Sequence, residues 1–224
     1  MNISRLHFYE QYLERRYGSF SYVFNRLNKR NDNVIVELGT TRSFVRGGMP
    51  GCMSSDEIFW DENNISNWDW SAGGFSRVCA ELIHNTQNEL YTVDLNHDAM
   101  SICKVITSRF NENVEYVLTT STDFLTKVEG KIDLLYMDHH ETCEEGAVLH
   151  LNDTKILLKR NLLAEDGMIL IDDVHLEQVE ADQITARTTA DFSDCGKGKY
   201  SIPFLLANGF QIVFEGYQVV LSHQ

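Results

Sequence analysis

Five stretches of β-branched and aliphatic residues, 34–38, 90–95, 114–118, 132–137 and 168–171, recur along the chain without strict polar alternation. Strands of that kind are covered on both faces, so the sheet they build is parallel and needs helices on either side. Segments with apolar residues at helical spacing lie between them, at 75–83, 99–110 and 147–163. The alternation predicts an α/β fold with a Rossmann-like, doubly wound, mostly parallel sheet. The C-terminal end reads differently. A helix signalled by Ser201 and Pro203 closes at Gly209, and 210–214 and 218–221 then flank the turn Glu215-Gly216-Tyr217. The expectation is seven strands, the last two forming an antiparallel hairpin.

Of the 224 residues 43% are hydrophobic, which suits one well-buried core and predicts a single domain over 1–224. Residues 1–30 carry aromatics and leucines at helical spacing and are read as a helical cover over the sheet. Residues 41–72 are read as an inserted loop, with Gly47, Gly48, Pro50, Gly51 and three tryptophans. Trp60, Trp68 and Trp70 either wall an acceptor pocket or form the small core that keeps such a loop folded. The formal charge of −14 argues against a nucleic-acid partner. No apolar run approaches the roughly 20 residues of a membrane span, so the chain is expected to be cytoplasmic and away from membranes. Five cysteines without a CxxC pair read as reduced. The oligomeric state stays open, with a homodimer among the states allowed.

Doubly wound sheets bind ligands at the C-terminal edge of their strands. The first strand ends in Glu37-Leu38-Gly39-Thr40, where a glycine lets backbone approach a ligand and a carboxylate can hold an ammonium group. The second ends in Asp94-Leu95, where an acid suits the two hydroxyls of a ribose; the plainer role for Asp94 is a cap on the helix starting near Asp98. Asp138 follows the fourth strand, and Asp172-Asp173 the fifth. Three neighbouring carboxylates repel unless a cation joins them, and hard oxygen donors suit Mg²⁺. The plainer reading is again capping. Lys197, Lys199 and Arg187 stand out in an acidic chain and are read as solvated charge, with a lid over an anionic acceptor as the alternative.

Residues 34–39, Gly74-Phe75-Ser76, 92–95, 114–123, 135–139 and 169–174 resemble, in order and spacing, the metal-dependent O-methyltransferases similar to catechol O-methyltransferase. The chain departs from the pattern in the 41–72 insertion, which interrupts the glycine turn, and in Asp173, which stands where catechol enzymes have Asn. The latter looks more like the metal-dependent sugar O-methyltransferases of antibiotic biosynthesis. The resemblance implies S-adenosylmethionine as cofactor, Mg²⁺ as a second, and a small hydroxylated or sugar-containing acceptor. It implies that Glu37, Gly39 and Ser76 hold the amino-acid end, Asp94 the ribose, and Ser121 and Thr122 the adenine edge, with Thr40, Gly74, Phe75 and Leu95 also in the cofactor site. Asp138 borders the cofactor and joins Asp172 and Asp173 on the metal. The family's general base, a Lys or a His, falls here on Glu141, a weaker base, so His139, His140 and His175 are the candidates to replace it. A metal-free methyltransferase and a cofactor-binding domain without catalysis remain alternatives. A nicotinamide oxidoreductase ranks last, because no GxGxxG follows the first strand.

Overall fold

The computed structural model describes residues 1–40, 65–68, 70, 74–175 and 196–223. Its seven strands form one sheet: β1 (Val34–Leu38), β2 (Glu89–Asp94), β3 (Val114–Leu118), β4 (Ile132–Met137), β5 (Leu163–Ile171), β6 (Phe210–Glu215) and β7 (Val219–His223). The order is β3-β2-β1-β4-β5-β7-β6. The first five are mutually parallel, while β7 runs antiparallel to both β5 and β6. The chain therefore winds outward from β1 in both directions, and the crevice between β1 and β4 is the switch point where doubly wound sheets take their ligands. β4 is buried along its whole length, as its unalternated sequence requires.

Among the described residues seven α-helices cover the two faces: α1 (Leu6–Leu13), α2 (Tyr17–Leu27), α3 (Phe75–Ile83), α4 (His97–Ile106), α5 (Ser121–Lys127), α6 (Glu144–Lys159) and α7 (Ser201–Ala207). On one face α1, α2 and α3 close over Ile35, Leu134, Tyr136 and Leu170 in a core rich in rings. Phe75 tilts against Tyr136 with centroids 4.6 Å apart and stacks on Phe24 at 5.5 Å. On the other, Leu125 of α5, Leu157 of α6 and Ile202 of α7 pack on Val36, Leu135 and Ile169. Alternate residues of β1 and β4 thus serve opposite cores, which is the period-two rule of a strand.

Trp68 and Trp70 resolve the two readings of the tryptophans. They stack on each other at 5.5 Å, Trp70 stacks on Tyr12 at 5.2 Å, and both are buried in the N-terminal core. They are core residues tying the end of the insertion to α1. Trp60 and Arg187 lie outside the described residues.

Candidate active site

Strand register builds the site before any side chain is considered. Leu38 pairs with Val93 on one side and Met137 on the other, and Met137 pairs with Ile171. The residues that follow, Gly39, Asp94, Asp138 and Asp172, are therefore brought abreast at one sheet edge. Gly39 takes φ +85°, and a Cβ there would lie 2.6 Å from the backbone of His139, so only glycine lets the β1 and β4 turns approach this closely. A cavity of about 650 Å³ opens over this edge, lined among others by Arg16, Gly39, Thr40, Asp94, Leu95, Ser121, Thr122, Asp138, His139, His140, Glu141, Asp173 and Tyr217.

Asp94 is not a helix cap: Asn96 caps α4, accepting from the amides of Asp98 and Ala99. Asp94 instead accepts from the Thr40 amide at 2.9 Å and the Asn96 amide at 2.7 Å, which fixes its carboxylate on the cavity wall. Glu37, Gly74, Phe75 and Ser76 do not line the cavity. Glu37 is buried beneath the turn, where the hydroxyls of Ser76 and Thr92 (2.7 Å) donate to the same carboxylate oxygen and Ser76 in turn meets Thr40 at 3.0 Å. Burial raises the Glu37 pKa to about 8, against the pull of those two hydroxyls. Gly74 leaves room for the Trp70 ring, which a Cβ would meet at 2.7 Å, and Phe75 belongs to the core.

The three aspartates do converge, with ligand oxygens within 4.8 Å of one another. None is the N-cap residue of a described helix. Asp172 is fully buried and held by Arg16, whose Nη2 and Nε lie 2.8 and 3.2 Å from its two oxygens, and by the Gln218 amide at 2.7 Å. Lys197, with its side chain only 2% exposed, sets its ammonium 2.8 Å from Asp138 and 3.0 Å from Asp173. Burial works to lower the pKa of both cations; Asp172 for Arg16, and Asp138 with Asp173 for Lys197, outweigh it and keep each charged. Burial and Asp138 together raise the pKa of Asp172, opposed by Arg16. The counter-charge that three clustered carboxylates demand is supplied by the protein itself. Lys197 is thus not a solvated charge. Lys199 pairs with Glu144 at 2.8 Å outside the cluster.

The four candidate bases separate. His175 turns away to Glu215 at 2.9 Å and does not line the cavity. His140 accepts from the Glu141 amide through Nδ1 at 2.9 Å, which leaves a proton on Nε2 in the neutral ring and makes it a donor. His139 sets Nε2 2.9 Å from the buried Asp153, out of line for a good hydrogen bond, while Thr122 donates to the other Asp153 oxygen at 2.6 Å. The His139 ring stacks on His150 with centroids 4.3 Å apart, and burial together with His139 lowers the His150 pKa and keeps it neutral. Glu141 lines the cavity beside them. Arg16, Asp153 and Tyr217 were not foreseen from the sequence. Only Arg16 carried a signal there, as half of an Arg15-Arg16 pair in an acidic chain.

Residues 71–174 match a family described as a methyltransferase domain. SAH-bound Podospora anserina methyltransferase PaMTH1 superposes with a TM-score of 0.55 at 16% identity, covering 91% of this chain and 77% of that one. A candidate O-methyltransferase from Klebsiella pneumoniae gives 0.55 at 12% identity, with 92% and 79% covered. TrmN from Thermus thermophilus gives 0.52 at 10% identity, and the chain spans 47% of its length against 91% of its own. No curated protein matches the sequence. Sheet order and switch-point crevice define the fold, a Rossmann-like doubly wound sheet of the kind these methyltransferases have, and a methyltransferase domain family matches just under half of the chain. Among the described residues no helix is long and apolar enough to cross a membrane.

Proposed function

We propose that the chain transfers the methyl group of S-adenosylmethionine to a hydroxyl oxygen of a small hydroxylated or sugar-containing acceptor. The observation that carries this reading is one cavity holding the Gly39–Asp94 edge on one wall and His139, His140 and Glu141 on the other. Those residues fit the cofactor: the glycine leaves the backbone bare, Asp94 keeps lone pairs for a ribose beyond its two amide donors, and Leu95 with Thr119–Thr122 offers a flank for a base. When bound, S-adenosylmethionine supplies an electrophilic methyl on a positively charged sulfur.

For the acceptor the protein has to fix an oxygen and take its proton. His139 is the base favoured by its place on the cavity wall. Its Nε2 lies 2.9 Å from Asp153 and its Nδ1 has no hydrogen-bond partner within the protein, but both ring nitrogens are buried, so an acceptor oxygen reaches Nδ1 only when the ring turns out of the wall. Asp153 then acts as a positioning residue that holds the ring. Glu141 is the second reading, favoured by its place in the family pattern. The magnesium implied by the resemblance fits poorly, because the oxygens that would bind it already accept from Lys197, Arg16, Tyr136, Thr142 and Tyr217. No step here depends on it.

Calorimetric titration tests the reading. S-adenosylmethionine should bind and NAD should not, and Asp94→Ala should weaken binding by about 1.5–3 kcal/mol, the loss of a charge-assisted hydrogen bond. Unchanged affinity in Asp94→Ala would remove that residue from the site. Absence of methylated product across a panel of hydroxylated acceptors, with cofactor bound, would leave a binding domain.

A further inference from the structure

We infer that the ammonium of Lys197 occupies, as a built-in cation, the carboxylate site that the resemblance gives to a divalent metal, so that Asp138 and Asp173 are neutralised from within the chain. The inference deepens the methyltransferase reading of the same cavity and rests on it for its meaning, though its test does not.

The seat is complete for an ammonium group. Three acceptors surround Nζ, namely Asp138 Oδ1 at 2.8 Å, Asp173 Oδ2 at 3.0 Å and the Asp138 carbonyl at 3.2 Å, one for each of its three protons. The oxygens left over are committed as well: Asp138 Oδ2 accepts from Tyr136 at 3.1 Å and Asp173 Oδ1 from the Tyr217 hydroxyl. Both oxygens of Asp172 face Arg16. A divalent ion would have to enter between two fixed cations and strip donors from each prospective ligand. The backbone is shaped to bring Lys197 here. Gly196 takes φ +44°, and a Cβ on it would fall 2.0 Å from the Asp173 carbonyl; one on Gly198 would fall 2.5 Å from Ile202. The Gly-Lys-Gly turn thus presses against the strand end that carries the carboxylates, and so holds the charge at close quarters. Its consequence for the reaction is that a fixed, non-exchangeable positive charge stands beside the acceptor wall.

The experiment titrates Mn²⁺ alone into the full chain, without cofactor, and reads it by electron paramagnetic resonance and calorimetry. Wild type should take up no stoichiometric Mn²⁺ at millimolar metal. Lys197→Met should gain one Mn²⁺ per chain, and adding Asp173→Asn should remove it. Stoichiometric uptake by wild type that Asp138→Asn abolishes overturns the inference, as does a folded Lys197→Met chain that binds none. Should Lys197→Met fail to fold, the wild-type titration decides alone. S-adenosylmethionine binding, measured separately, reports on the methyltransferase reading, so the two can fail independently.

Discussion

Replacing Glu37 with glutamine removes an ionisable proton from the floor of the site and keeps the acceptor that Ser76 and Thr92 use. In the folded protein Glu37 titrates at about 8 against an ordinary value of 4.5. Between these values the folded chain binds a proton that the unfolded chain has released, so wild-type stability falls as pH rises through that window. Each pH unit of separation is worth about 1.4 kcal/mol, which puts the ceiling near 5 kcal/mol above pH 8. Water entry and relaxation around an ionised buried group lower such figures, and about 2–3 kcal/mol is expected in practice. At about pH 5 both proteins carry a neutral side chain and should differ by no more than about 1 kcal/mol. Urea unfolding at about pH 5 and about pH 8.5 measures both gaps. Parallel pH dependence in the two proteins would refute the reasoning, because it would mean that Glu37 titrates normally and that the turn holds a carboxylate throughout.

Gly39→Ala forces a Cβ to within 2.6 Å of the His139 backbone at a positive φ, and should cost more than about 1 kcal/mol of stability along with most cofactor affinity, read by denaturation and calorimetry. Asp153→Asn should lower kcat at least about tenfold with little change in S-adenosylmethionine affinity; an unchanged kcat returns the base role to Glu141. Trp70→Ala should lose about 3–5 kcal/mol of stability, while the acceptor KM of the folded fraction stays put, because the ring sits in the core and not on the cavity wall.

The strands were legible because each is an unalternated apolar run, and their ends came within a few residues of the observed ones. Helix α5 escaped notice. Its seven residues bury only Phe124 and Leu125, too few to show a period. Leu163, read as the last turn of a helix, instead opens β5, since an apolar residue at an element boundary serves either neighbour. Strand order put Asp94, Asp138 and Asp173 at one sheet edge, and the cavity opens over that edge. Glu37 and Ser76 were placed at the right turn but on its inner side, a distinction set by burial that spacing does not encode. Arg16 offered only its place in an Arg15-Arg16 pair, because its partner lies 156 residues away. Lys197 was read as solvated charge, whereas the glycines on either side of it permit close packing.

The clamp on Asp172 draws on nearly the whole length of the polypeptide, with Arg16 from the segment between α1 and α2 and Gln218 from the turn before β7. Ser19 of α2 also donates to Gln218, joining the two directly. During synthesis the first of these groups leaves the ribosome about 200 residues before the last, and at ~5–20 residues per second that interval is on the order of 10–40 s. Asp172 itself emerges 46 residues before Gln218, and until Gln218 follows it lacks part of its clamp. The site therefore comes into being only when the final hairpin closes, and a chain released short of Gln218 would carry the five parallel strands, the glycine turn and the aspartates without the arrangement that makes them a site.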